Sequence, residues 1–75
     1  MDVNPHANKL YWDSSYEIAL NLMEVYPAID LDTVGMDQLF QMVIRLPNFA
    51  DDPALVNDGI LNEILREWYE EASSR

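Results

Sequence analysis

The stretch NDGILNEILREWYEEA, residues 57–72, decides the fold that this sequence predicts. Its apolar side chains recur at i, i+1, i+4, i+5 and i+8, the spacing that lines one face of an α-helix. These residues are Ile60, Leu61, Ile64, Leu65 and Trp68. Asn57 comes directly before the pattern, and asparagine is strongly preferred at a helix N-cap. The stretch therefore predicts a closing helix that begins after Asn57, with Trp68 in the core.

Residues 47–56, which precede this helix, are rich in residues that favour turns. These are Pro47, Asn48, Asp51, Asp52 and Pro53. The segment is therefore predicted to be a loop or wing, with Phe49 as its buried anchor. An apolar stripe before it predicts a middle helix that starts near Met36 or Asp37 and stops at Pro47. The stripe consists of Met36, Leu39, Phe40, Val43 and Leu46.

A first helix is predicted over Ser15–Val25. Ser14 and Glu17 have the spacing of a capping box, in which the serine accepts a hydrogen bond from the first turn and the glutamate reaches back. The apolar residues then repeat at i, i+4, i+7 and i+8, and Pro27 ends the helix because it pushes the preceding residue out of helical geometry. The repeat consists of Ile18, Leu22, Val25 and Tyr26.

Three helices joined by a short turn and a wing-like loop define the predicted fold class. Asp30 is expected to cap the short turn, Leu31–Val34, between the first two helices. The predicted architecture is a mostly α, small modified winged-helix domain of helix-turn-helix type with minimal β. It is expected to span residues 10–72, with a flexible lead at 1–9 and a frayed C-terminus at 73–75.

The charge balance argues against several classes of function. Fourteen Asp and Glu face four Lys and Arg, which gives a formal net charge of −10. Such a surface repels phosphate backbones and anionic lipid, so we expect neither nucleic-acid nor membrane binding, and it attracts cations and basic protein surfaces. The chain has no cysteine, and hence no disulfide, thiolate metal site or thiol nucleophile. Because no disulfide framework or apolar leader points to secretion, a cytoplasmic protein is expected.

One set of acidic residues is a candidate metal site. These carboxylates would form an oxygen-only site for a divalent cation if the wing folds back on the first helix. The set consists of Asp13, Glu17, Asp51 and Asp52. The alternative is a structural role, with Glu17 in the capping box and the two wing residues in turns. No residue pattern supports a catalytic site.

A second set of acidic residues lies on the closing helix. It consists of Glu63, Glu67, Glu70 and Glu71. Its two like-charge pairs at i, i+4 each cost an isolated helix about 0.2–0.5 kcal/mol, and Arg66–Glu70 is the one opposite-charge pair at that spacing. A solvated face is the usual interpretation of such a run. A helix that tolerates this repulsion also suits a surface that binds a basic partner, so both interpretations stay open.

The order and spacing of residues from Leu10 to Ala72 resembles the IscX family without a gap. The landmarks are Trp12, Tyr26-Pro27, Phe49, Asp51-Asp52-Pro53, Asn57 and Trp68. The chain departs from familiar members in the position of the acid at Asp13, in Ala50 where they carry an acid, and in the central Phe40-Gln41-Met42.

The resemblance implies a modified winged-helix fold and a role in bacterial iron–sulfur cluster assembly. IscX proteins bind the cysteine desulfurase of that system, share its basic surface with the bacterial frataxin, and bind ferrous iron weakly through carboxylates. The expected function is therefore that of a non-enzymatic, monomeric adaptor and regulator without a tightly bound cofactor. The glutamates of the closing helix are the expected partner-binding residues, and the first acidic set the expected ligands of weakly bound Fe²⁺.

Three alternatives accompany this expectation. One, within the same system, is an iron donor to the assembly machinery. Another is a generic acidic protein-interaction module. The third is a nucleic-acid-binding winged helix, which the sequence disfavours because the middle helix would be the recognition element and carries Asp37 with a single base, Arg45.

Overall fold

The computed structural model describes residues 9–74, so the predicted lead lies outside the described residues except for Lys9. Within that range the chain forms three α-helices and two single 3-10 turns. The α-helices are α1 (Ser15–Val25), α2 (Met36–Ile44) and α3 (Asp58–Ser73), and the 3-10 turns are Leu31–Thr33 and Pro53–Leu55. The β structure of these residues is one isolated parallel bridge between Leu10 and Phe49. The prediction of a mostly α fold with minimal β is therefore confirmed.

The core forms where α1 packs on α3, and α2 makes a smaller contact with both. Its buried apolar residues are Leu10, Trp12, Ile18, Ala19, Leu22, Val34, Leu39, Met42, Val43, Leu46, Leu61, Ile64 and Trp68. Both tryptophans are core residues, with 4% of Trp12 and 2% of Trp68 exposed, and the prediction for Trp68 is confirmed. Ile60 and Leu65 are half-buried and pack against this cluster. The predicted face of the closing helix is therefore the face that α3 turns to the core.

The N-terminus of α1 lies where it was predicted, but no capping box holds it. Ser14 occupies the N-cap position, yet its side chain makes no hydrogen bond with the first turn. Its backbone, at φ −93° and ψ 53°, is outside the extended region in which an N-cap oxygen meets the first-turn N–H groups. The Ser14 N–H donates to the Tyr11 carbonyl at 2.9 Å, which closes a turn before the helix. The capping box predicted for Ser14 and Glu17 is therefore wrong.

The buried face of α1 also differs in part from the predicted repeat. Ile18 and Leu22 are fully buried, but 46% of Val25 is exposed at the end of the helix. Ala19 and Asn21 are buried in its place, and the Asn21 Nδ2 donates to the Glu17 carbonyl at 2.8 Å. The line of contact with α3 decides which α1 residues are covered, and periodicity alone does not locate that line.

Helix α2 ends at Ile44, three positions before the predicted stop at Pro47. A proline disfavours helical geometry in the residue before it, so Leu46 cannot continue the helix comfortably. Its N–H instead donates to the Val43 carbonyl at 3.1 Å, and its side chain is buried in the core. Met42, which the predicted stripe did not include, is buried as well.

Two predicted side-chain caps are present. The Asn57 Oδ1 accepts a hydrogen bond from the Ile60 N–H at 2.9 Å, and α3 starts at the next residue, Asp58. The Asp30 Oδ1 accepts from the Asp32 N–H at 3.0 Å and caps the first 3-10 turn. Asparagine and aspartate at these positions therefore satisfy N–H groups that the helical ladder leaves without partners.

The 47–56 segment folds back on the residues before α1. The Leu10 N–H donates to the Asn48 carbonyl at 2.8 Å, and the Ala50 N–H donates to the Leu10 carbonyl at 2.9 Å. These two bonds form the Leu10–Phe49 bridge. Phe49 is half-buried rather than buried, and it packs edge-on against Trp12 with ring centroids 4.8 Å apart. It anchors the segment, as predicted.

Asn57 caps α3 with its side chain, whereas the Ser14 side chain does not cap α1, and this difference can be tested. We expect Asn57→Ala to lower the free energy of unfolding by about 1 kcal/mol, because the Ile60 N–H loses its acceptor. Ser14→Ala removes no cap bond, so its loss should stay below about 0.5 kcal/mol. Urea denaturation of the two variants beside the parent protein measures both values. Equal losses would contradict the assignment of the caps.

Candidate functional site

The glutamate surface of α3 is the set of carboxylates formed by Glu63, Glu67, Glu70 and Glu71. Helical spacing places Glu63, Glu67 and Glu70 on the same side of α3. They lie beside the buried stripe formed by Leu61, Ile64 and Trp68. Glu70 is exposed, and the others are partly exposed. The prediction that the four acids share one helix and border solvent agrees with this placement. Their role in binding a partner remains a prediction.

Arg66 balances part of this surface. Its guanidinium donates to Glu70 at 2.8 Å one turn ahead and also pairs with Glu63 one turn behind. The hydrogen bond with Glu63 and the charges of Glu63 and Glu70 raise the pKa of Arg66 above its ordinary value. The Glu63 partner lies at i−3, a spacing as close on a helix as i, i+4, so this pair also has a local signal in the sequence.

Glu67 and Glu71 carry the remaining charge of this surface. Among residues 9–74 no hydrogen bond or ion pair engages either carboxylate. They stand one helical turn apart, and Glu67 is also one turn from Glu63. Arg66 is the single base of α3, and its charge attracts Glu67 although the two form no ion pair. The four carboxylates of the glutamate surface share this one base, so the surface is net negative.

The carboxylates of the 47–56 segment have structural tasks. The Asp51 Oδ2 accepts from the Trp12 N–H at 2.9 Å, and its Oδ1 accepts from the Asp52 N–H at 2.7 Å. The Asp52 Oδ1 accepts from the Ala54 N–H at 3.0 Å and caps the second 3-10 turn. The turn-forming role that the sequence offered as the alternative for these two residues is therefore confirmed.

The predicted metal ligands do not form a preformed cluster. Within the described residues, no group of three or more His, Cys, Asp or Glu side chains is placed to hold a metal ion. Asp13 and Glu17 are exposed, at the turn before α1 and in its first turn. Whether Asp13, Glu17, Asp51 and Asp52 bind a cation remains a prediction.

Sequence reasoning missed a contact between the first 3-10 turn and α3. The Tyr69 hydroxyl donates to the Asp32 carboxylate, 37 residues away in the chain. This hydrogen bond, together with desolvation and the nearby negative charges of Asp32 and Asp30, raises the pKa of the Tyr69 phenol above its ordinary value of 10.0. No local signal predicts this pair, because it exists only once α3 has packed beside the turn.

The fold and this surface define a small, acidic, mostly helical protein whose charged groups lie on its surface. No helix among the described residues is long and apolar enough to cross a membrane. The protein family described as iron–sulphur cluster assembly matches residues 10–73, so the chain belongs to that family. It is also similar to the uncharacterized protein PA3808 of Pseudomonas aeruginosa, with 37% identity over 62 residues that cover 83% of this chain and 94% of that protein. Family membership supports a role in iron–sulfur cluster assembly.

The Tyr69–Asp32 contact leads to a pH prediction. Because the folded-state pKa of Tyr69 is raised above its unfolded value of 10.0, the bond stabilises the fold fully below that pH, and its contribution is lost as the pH rises through the folded-state pKa. We expect the Tyr69 ring to titrate above the ordinary value when its ¹³Cζ shift is followed by NMR. Asp32→Ala should move this titration down. A titration that Asp32→Ala leaves in place would contradict the contact.

Proposed function

We propose that this protein is a non-enzymatic adaptor of the IscX type that regulates iron–sulfur cluster assembly by docking on a basic surface of a cysteine desulfurase. The observation that carries the proposal is the glutamate surface of α3. Arg66 forms ion pairs with Glu63 and Glu70, while Glu67 and Glu71 form none among the described residues. Membership of the iron–sulphur cluster assembly family supports the choice of partner system.

The proposed mechanism is electrostatic steering followed by occupation of a shared surface. A net charge of −10 raises the rate at which a basic partner is met, and the effect weakens as salt screens it. The glutamate surface then sets the orientation of the bound protein. Occupation of the basic surface excludes other acidic assembly factors, among them the bacterial frataxin, which makes the adaptor a regulator. The protein acts as a cytoplasmic monomer, and its fold is a modified winged helix with the 47–56 segment as the wing.

Charge reversal at Glu67 tests the docking surface. Lysine at this position removes the like-charge pairs with Glu63 and Glu71 and forms two opposite-charge pairs, so the helix should gain a few tenths of a kcal/mol, about 0.2–0.5 per pair. Glu67→Lys should nevertheless associate with the desulfurase more slowly and with a weaker salt dependence. A thermal melt and stopped-flow association rates at two salt concentrations measure the two effects.

Asp13→Lys is the matched control, because it changes the net charge equally at an exposed site before α1. Both variants then lose the same amount of long-range electrostatic attraction to the desulfurase. A difference between their association rates therefore measures a direct contact at position 67. Glu67→Lys should be slower by about threefold or more, which corresponds to the strength of one surface charge contact. If Asp13→Lys is the slower variant, the docking face lies around Asp13, Glu17 and the 47–56 segment.

We also propose that the protein binds ferrous iron weakly. In the alternative form of the proposal, its main role is to donate that iron to the assembly machinery. Because Asp51 and Asp52 already accept backbone hydrogen bonds, binding through them requires those bonds to be exchanged. Oxygen ligands without His or Cys also discriminate poorly among divalent ions. We therefore expect weak Fe²⁺ binding in fast exchange, with Mn²⁺ and Ca²⁺ as competitors. An anaerobic NMR titration tests this, and a single tight, Fe²⁺-selective site would contradict it.

A further inference from the structure

Arg66 stands among the carboxylates of the glutamate surface and pairs with two of them at once. One nitrogen of its guanidinium donates to Glu70 at 2.8 Å, and another pairs with Glu63. These partners lie one helical turn ahead and one turn behind, a span that the planar fork of a single arginine can bridge. The charge of Arg66 also attracts Glu67 without a direct bond. The free protein therefore already holds a cation at the place where the proposed function puts the cations of a partner.

The two ion pairs of Arg66 are exposed to solvent. The exposed fraction of the Arg66 side chain is 56%, and those of Glu63 and Glu70 are 42% and 58%. Ion pairs at such exposure contribute little to stability, because water and salt screen the charges and both long side chains lose freedom in forming the pair. The guanidinium can therefore leave its partners while α3 stays folded. A denser group of positive charges is able to replace it.

We propose that Arg66 is an internal competitor of the docking partner: it occupies Glu63 and Glu70 in the free protein, and a basic surface gains these carboxylates by displacing its guanidinium. The proposal rests on the proposed function for the place of docking. The partner that fits this surface presents several Lys or Arg side chains close together. A lone cation gains little by replacing Arg66, whereas a cluster of cations also reaches Glu67 and Glu71. Arg66 thus raises the charge density that a partner needs.

The same geometry predicts an order among the glutamates. Glu63 is already paired when the partner arrives, whereas Glu67 forms no ion pair among the described residues. Loss of Glu67 should therefore weaken docking more than loss of Glu63, and this difference should vanish once Arg66 is removed. Net charge alone does not produce such an order, because both changes remove one carboxylate from the same side of α3.

Arg66→Gln tests the proposal, and Arg45→Gln is its matched control. Both arginines are exposed and both changes remove one positive charge, but Arg45 follows α2 and forms no ion pair within residues 9–74. The probe is a synthetic deca-lysine peptide, and the Kd is read from the amide signals of residues 63–71 in an NMR titration. Arg66→Gln should bind the peptide about threefold or more tightly than Arg45→Gln at low salt, and the gain should shrink as salt is added.

A thermal melt separates this gain from a change in the fold. Arg66→Gln should melt no higher than the parent protein, because the four carboxylates of the glutamate surface lose the one base of α3. Tighter binding by a variant that is no more stable cannot come from a better-formed helix. An Arg66→Gln variant that binds no tighter than Arg45→Gln would overturn the proposal, since Arg66 would then act through the net charge alone.

A second measurement uses Glu63→Gln and Glu67→Gln, each made in the parent protein and in Arg66→Gln. In the parent, Glu67→Gln should weaken peptide binding about twofold more than Glu63→Gln, and in the Arg66→Gln background the two should weaken it alike. Such coupling between positions 63 and 66 is what direct competition requires. Equal losses in the parent protein would overturn the proposal.

The desulfurase, used in place of the peptide, distinguishes this proposal from the proposed function. If the parent protein does not bind the desulfurase but Arg66→Gln binds deca-lysine more tightly than Arg45→Gln, the proposed function fails and the competition stands. If the parent protein binds the desulfurase and the two arginine variants bind both probes alike, the proposed function stands and the competition fails.

Discussion

The structure depends on the hydrogen bonds of one buried residue, Trp12. Its side chain is almost fully enclosed, so both its backbone and indole N–H groups need acceptors inside the protein. The Asp51 carboxylate accepts the first, and the Asp52 carbonyl accepts the second at 2.8 Å. The ring stacks on Phe40 of α2, with centroids 6.2 Å apart. A single residue before α1 thereby joins α2 and the 47–56 segment, and the chain before α1 becomes part of the core.

This arrangement divides the acidic residues by task. The carboxylates near Trp12 hold backbone N–H groups, so their positions are set by the needs of the fold. The carboxylates of α3 contact solvent, and Arg66 compensates those that it can reach. A charge that stabilises no internal contact is free to serve an external one. The division leaves a cluster of solvent-facing carboxylates on the longest helix of the domain.

Helix α3 has two flanks with different chemistry. One carries the glutamate surface, and the other borders a groove between α1 and α3. The glutamate surface exposes carboxylates to solvent, whereas the groove is lined mainly by apolar side chains.

The sequence by itself determined the elements that depend on neighbouring residues. The stripe of α3, the caps at Asn57 and Asp30, and the end of α1 follow from spacing, side-chain oxygens and proline geometry, all of which are local. The acidic surface of α3 was visible for the same reason. Only the tertiary structure decided that Asp51 accepts from Trp12, that Tyr69 reaches Asp32, that Ser14 does not cap, and that Val25 is exposed. The two long-range hydrogen bonds and the exposure of Val25 depend on how distant segments pack, and packing energy is spread over the whole core, so no short window of sequence encodes them. The missing Ser14 cap follows from the turn that Ser14 closes with Tyr11.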